Sequence, residues 1–86
     1  MTLYAVEWSR EAHKALAEFD RTTARRIAAA CGALANDPRP PGCLKMSGAA
    51  DLWRVRVGQY RVVYAVEDDH LLVLVVRVAH RREVYR

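Results

Sequence analysis

Hydrophobic positions change their period along the chain, and the changes mark out its elements. In the stretch 3–8 they alternate, with Leu3 and Ala5 on one side and Tyr4, Val6 and Trp8 on the other, which predicts a short strand. Ser9 follows as an N-cap, and Glu11 falls in the first turn, where the helix dipole favours a carboxylate. Ala12, Leu16 and Phe19 then recur at spacings of four and three, while Arg10, Lys14 and Glu18 take the wet side of a helix. The segment 20–23 breaks this helix. Thr22 or Thr23 is expected to cap a second one, whose stripe of Ile27, Ala30, Cys31 and Leu34 ends near Asn36, ahead of Pro38, Pro40, Pro41 and Gly42.

A linking loop of about fourteen residues, long for a compact domain, runs on to Asp51 and carries Lys45. From Leu52 the period becomes two, with Trp53, Val55 and Val57 alternating with Arg54 and Arg56. Gly58 and Gln59 separate this run from 60–66, and 67–70 separate that run from 71–79. The expected order is strand, helix, helix, strand, strand, strand: an α+β fold with a helical hairpin on one face of a mostly antiparallel four-stranded sheet.

Length and composition narrow the function classes. At 86 residues the chain is one domain, 1–86, and 52% hydrophobic against 28% charged residues argues for a folded core. A domain of this size buries about 60 to 65% of its unfolded surface, too little to enclose a large cofactor, so none is expected. The longest aliphatic run, 71–76, is too short to span a bilayer, and the first eight residues, with Glu7 among them, lack a signal-peptide stretch. The expectation is a cytoplasmic protein with no membrane partner. Cys31 and Cys43 lie outside metal-ligand spacings and read as reduced thiols, Cys31 on an apolar helix face.

The charge balance is +4, and of the fourteen basic residues only Lys14 and Lys45 are lysines. Guanidinium matches phosphate bidentately, so this bias favours a polyanionic or carboxylate-rich partner, although compositional bias of an Arg- and Ala-rich chain has the same appearance.

A two-residue turn at Gly58 and Gln59 fixes which way the arginines point. It sets Val57 opposite Tyr60, Arg56 opposite Arg61, Val55 opposite Val62 and Arg54 opposite Val63. Arg54, Arg56 and Arg61 then share one face, while Trp53, Val55, Val57, Tyr60, Val62 and Tyr64 lie beneath the helices. Like charges directly opposite one another are destabilising, and no acid within these strands offsets them. The plainer reading is a solvated sheet face whose arginines pair with carboxylates from loops or tails. Clustering favours a phosphate site, where a bound polyanion relieves the repulsion. Alternation continued through Leu74, Val76 and Val78 places His80 on the arginine face and Arg81 on the other.

The residues Asp37, Pro38 and Arg39, the run 52–58, then Tyr60, Arg61, Val62, Val63 and Tyr64, and finally Val78, Ala79, His80, Arg81, Val84 and Tyr85 carry a resemblance over nearly the whole chain. It resembles the RelE/ParE superfamily of toxins from bacterial toxin–antitoxin pairs, RelE-like members more than ParE-like ones. The resemblance implies the RelE-like microbial ribonuclease fold and a ribosome-dependent mRNA endoribonuclease acting in the 30S A site, with a cognate antitoxin protein as partner. The alternative it leaves is a ParE-like, non-enzymatic inhibitor of DNA gyrase; a generic RNA-binding module is a third reading.

Carried over position by position, Arg54 and Arg56 stand where RelE-like toxins place two basic residues of the second strand, commonly lysines. Arg61 matches the Arg after the Tyr of the third strand, Arg81 the Arg after the last strand, and Tyr85 the C-terminal Tyr. The departure from lysine matters chemically. Arginine stays protonated in proteins, so neither Arg54 nor Arg56 is a general base.

Internal cleavage of RNA needs a base for the 2′-OH, stabilisation of charge on the phosphorane oxygens, and an acid for the departing 5′ oxygen, with no metal. Arg54, Arg56, Arg61 and Arg81 suit the middle task. Tyr85, made more acidic by arginines, is the first choice for proton transfer, and His80, of a type that titrates near neutrality, is the second. Lys45, Arg54, Arg56 and Arg82 are the candidate RNA contacts. Trp53 and Tyr60 are expected in the core rather than as stacking platforms.

Overall fold

The computed structural model describes residues 3–46, 48 and 51–80. Strand β1 (Ala5–Trp8) leads into helices α1 (Arg10–Glu18) and α2 (Arg21–Ala33), followed by β2 (Leu44–Lys45), β3 (Leu52–Val57), β4 (Tyr60–Glu67), a single 3₁₀ turn (Asp68–His70) and β5 (Leu72–His80). The strands form one mixed sheet in the order β1-β5-β4-β3-β2, antiparallel throughout except that β1 runs parallel to β5. The two helices lie on one face of it. The expected α+β arrangement is present, with five strands rather than four. The additional strand, β2, pairs Leu44 with Arg54 and Lys45 with Trp53 inside what the sequence presents as a loop.

Local chemistry explains the helix boundaries. The Ser9 hydroxyl accepts the Ala12 N–H at 3.0 Å, opening α1 as its pattern predicts. α2 is capped by Asp20 rather than by Thr22 or Thr23. One Asp20 carboxylate oxygen accepts the Thr23 N–H at 3.1 Å and the other accepts its hydroxyl at 2.6 Å. A carboxylate serves this end better than a threonine because it also answers the positive end of the helix dipole. The bonds from Thr23 hold the Asp20 carboxyl below its ordinary range.

The core fills the space between helices and sheet. Ala12, Ile27, Cys31 and Leu34 from the helices pack on Val55, Val62, Tyr64, Val66, Val73, Val75 and Val78, all buried. Truncating a buried aliphatic such as Ile27 to Ala is expected to cost about 2 to 5 kcal/mol. The Tyr64 ring is fully buried beneath the helices, yet its hydroxyl reaches out to donate to the Pro38 carbonyl at 2.7 Å. That bond ties the proline-rich segment to the sheet.

One irregularity redirects the end of β5. Val63 pairs with Arg77 and Tyr64 with Val75, so Val76 is an extra residue, a β-bulge. Its carbonyl accepts the Ser9 hydroxyl at 2.7 Å, and the Ser9 N–H donates to the Val75 carbonyl at 2.8 Å. The same side chain therefore caps α1 and fixes the bulge. Beyond Val76 every side chain of β5 sits on the face opposite to the one that uninterrupted alternation gives it.

Candidate nucleic-acid interface on the open sheet face

The β3–β4 hairpin has the predicted register: Val57 opposite Tyr60, Arg56 opposite Arg61, Val55 opposite Val62 and Arg54 opposite Val63. Gly58, with φ of +60°, takes the first central position of the turn, the position that a type II′ turn reserves for glycine. Arg54, Arg56 and Arg61 consequently point away from the helices. Together with Gly42 and Leu44 they line one depression of about 210 Å³. The Arg56 Nε donates to the Gly58 carbonyl at 3.2 Å, and an Arg61 Nη lies 3.5 Å from the carbonyl of Tyr60.

Neighbouring strands extend this face in rows. One row reads Arg56, Arg61, Ala79 across β3, β4 and β5; the next reads Leu44, Arg54, Val63, Arg77 across β2 to β5. Val63 and Ala79 are only 6% and 4% exposed, so the guanidinium groups stand around an apolar floor rather than on open water. A low-dielectric floor strengthens any charge interaction made above it. Arg77 is the functional candidate that sequence reasoning missed. Its place on this face follows from the Val76 bulge, and an aliphatic run with no change of period gives no sign of one.

The same bulge corrects the expectation for His80. It pairs with Tyr60 and lies on the Tyr60 side of the sheet, with the two rings meeting edge to face at 5.6 Å between centroids. Tyr60 in turn packs on Phe19, its ring centroid 4.8 Å away, as a core residue. Lys45 pairs with Trp53 and so shares the Trp53 face, away from the arginines. Arg81, Arg82 and Tyr85 lie outside the described residues.

Arg39 has a different job. Its guanidinium makes a two-pronged ion pair with Asp68, at 2.9 and 3.2 Å, and sits 5.2 Å from the centre of the Trp53 ring. The Tyr4 hydroxyl donates to the same carboxylate at 2.7 Å. Asp68 is held below the ordinary carboxyl range, by Arg39 first and Tyr4 second, while Tyr4 is raised by its bond to Asp68. This latch fastens the proline-rich segment from the helix side. Pro40, Pro41 and Gly42 of that segment wall an apolar groove of about 290 Å³ with Ala30, Val57 and Arg56, directly beside the arginine depression.

Chemically, the open face can bind phosphate and stabilise charge that develops on it, but its guanidinium groups cannot accept a proton. Among the described residues no group of three His, Cys, Asp or Glu side chains is placed to hold a metal ion. No helix among them is long and apolar enough to cross a membrane.

Comparison with known proteins agrees with this geometry. The family model described as "ParE toxin of type II toxin-antitoxin system, parDE" matches residues 6–85. Toxin RelG of Mycobacterium tuberculosis is 31% identical over 84 residues, covering 96% of this chain and 97% of RelG. Toxin RelE of the same organism is 39% identical over 66 residues, covering 71% of this chain and 68% of its own. In an archaeal RelE–RelB complex from Pyrococcus horikoshii, a chain 29% identical to this one superposes with a TM-score of 0.81, covering 94% of this chain and 97% of that one.

Proposed function

This chain belongs to the RelE/ParE superfamily of toxins from type II toxin–antitoxin systems, and from that premise we propose that it is a ribosome-dependent endoribonuclease that cleaves mRNA in the 30S A site. The observation that carries the reading is the gathering of Arg54, Arg56 and Arg61 around one depression on the sheet face away from the helices. A surface that inhibits by contact alone has no need for three arginines lining one depression.

In the proposed reaction the 2′-oxygen attacks the adjacent phosphorus in line, forming the P–O2′ bond as the P–O5′ bond breaks. A 2′,3′-cyclic phosphate and a 5′-hydroxyl result. The proton of the 2′-OH passes to a base, and the departing 5′ oxygen receives one from an acid. Arg54, Arg56 and Arg61, joined by Arg81, stabilise the phosphorane charge, a task in which one well-placed donor is worth on the order of 3 kcal/mol. Tyr85 is assigned to proton transfer. His80 stays second, because the bulge turns it to the side away from the arginines. Arg82 is assigned to RNA backbone contact. Lys45, expected as an RNA contact, is left out of that set because it lies on the Trp53 face. No metal or other cofactor is required.

A cognate antitoxin completes the reading, as the RelB chain does in the P. horikoshii complex. An acidic segment over the arginine rows and an apolar stretch in the groove of Pro40 and Pro41 would silence the site without touching the fold.

The test is a purified translation system programmed with a defined mRNA. Arg61→Ala and Tyr85→Phe are each expected to abolish cleavage while keeping the wild-type circular dichroism spectrum. Retained cutting by both variants overturns the mechanism. The family model's ParE description motivates the competing reading, a non-enzymatic gyrase inhibitor. Blocked gyrase supercoiling with translation unaffected would replace the ribonuclease assignment with that one.

A further inference from the structure

We propose that Arg77 and Arg54 form a second anion position, one row along from Arg56 and Arg61, so that the open face holds two consecutive phosphates of a single-stranded polynucleotide. The inference rests on the RNA reading above and adds to it a residue and a subsite.

Three observations support it. First, the orientation of Arg77 is built in, because the carbonyl freed by the Val76 bulge is captured by the Ser9 hydroxyl at 2.7 Å. Second, Arg54 and Arg77 flank the same residue, Val63, from either side. Their strands are two spacings apart, roughly 9.6 Å. A phosphate placed over Val63 lies within reach of long side chains from both neighbouring strands, at the about 2.7 to 2.9 Å of charge-assisted bonds. Third, Arg77 is half-buried and has no carboxylate within ion-pair distance among the described residues. Its charge stands over the nearly buried Val63 with no counter-ion drawn from those residues.

The row spacing fits consecutive phosphates of one strand. Successive rows on one face are two residues apart along the strand, about 6.7 Å. That distance is on the order of the separation between neighbouring phosphates in an extended single strand.

Binding of the full-length chain to a short 2′-O-methyl RNA, which cannot be cleaved, tests this by fluorescence anisotropy across a salt series. Arg77→Gln is expected to weaken binding about tenfold, or about 1.4 kcal/mol. It is also expected to lower the slope of log affinity against log salt by about 0.7, the value for one phosphate contact on a single strand. Arg77→Lys should restore the slope. Arg10→Gln on α1, which removes the same charge elsewhere, should match the unsubstituted chain. A neutral methylphosphonate walked along the oligonucleotide should reveal one position that weakens the unsubstituted chain but not Arg77→Gln.

Unchanged affinity and slope for Arg77→Gln would overturn the subsite, as would failure of the unsubstituted chain to bind the oligonucleotide. The two readings fail separately. Binding that depends on Arg77, in a chain that never cuts mRNA on ribosomes, sinks the nuclease and keeps the subsite. Cutting with a binding profile indifferent to Arg77 does the reverse.

Discussion

Replacing Arg56 by Gln is expected to make the protein more stable and less active at once. Arg56 and Arg61 are direct cross-strand partners, and a like-charged pair so placed costs on the order of 0.2 to 1 kcal/mol. Arg56 is exposed, and its recorded bond, to the Gly58 carbonyl at 3.2 Å, is one that water can replace. The substitution therefore removes a repulsion and leaves no buried group unsatisfied. A net gain of about 0.5 kcal/mol in a domain of this size corresponds to a rise in Tm of roughly 2 to 4 °C. The gain should be largest at low ionic strength and fade toward 1 M salt, where the Debye length falls to about 3 Å. Thermal unfolding of both proteins at 20 mM and 1 M sodium chloride, with mRNA cleavage measured in parallel, checks it. A less stable variant at low salt, or a gain that ignores salt, would refute the claim that the open face is held under electrostatic strain which a bound polyanion relieves.

Two further predictions concern the scaffold. Ser9→Ala removes both the α1 cap and the bond to the bulged carbonyl of Val76, and is expected to cost about 2 kcal/mol in urea unfolding, twice the ordinary loss of a cap. The Cys31 thiol is pushed by burial from 9.0 up to about 12, so its contribution is complete below pH 9 and is lost as pH rises toward 12, the unfolded chain ionising first. Unfolding midpoints in urea should therefore fall above pH 9, and Cys31→Ala should flatten the lower part of that decline. Tyr64, also raised by burial from 10.0, adds a loss at higher pH that this variant retains.

The sequence exposes the parts of this fold that local rules govern. A two-residue Gly58–Gln59 turn between alternating runs determines the hairpin register, and with it the common direction of Arg54, Arg56 and Arg61. Ser9 followed by Glu11 announces α1 for equally local reasons. What stays hidden depends on partners distant in the chain. β2 is two residues long and exists because Leu44 and Lys45 find the free edge of β3, so no periodicity can reveal it. The Val76 bulge is held by Ser9, 67 positions away, within a run of aliphatic residues that reads the same on either face. That single insertion moves Arg77 onto the arginine face and takes His80 off it. The capping of α2 is a narrower case, in which Asp20 outcompetes two threonines whose presence alone suggests a cap.

The placement of the arginines can be followed one by one in solution. Arginine side-chain Nε–Hε resonances of the full-length chain, recorded during titration with a non-cleavable single-stranded RNA, resolve the outer sheet face from the helices. Shifts at Arg54, Arg56, Arg61 and Arg77, with Arg10, Arg21 and Arg25 unmoved, are the predicted result. Shifts confined to the helix arginines, or none at any, would contradict the account.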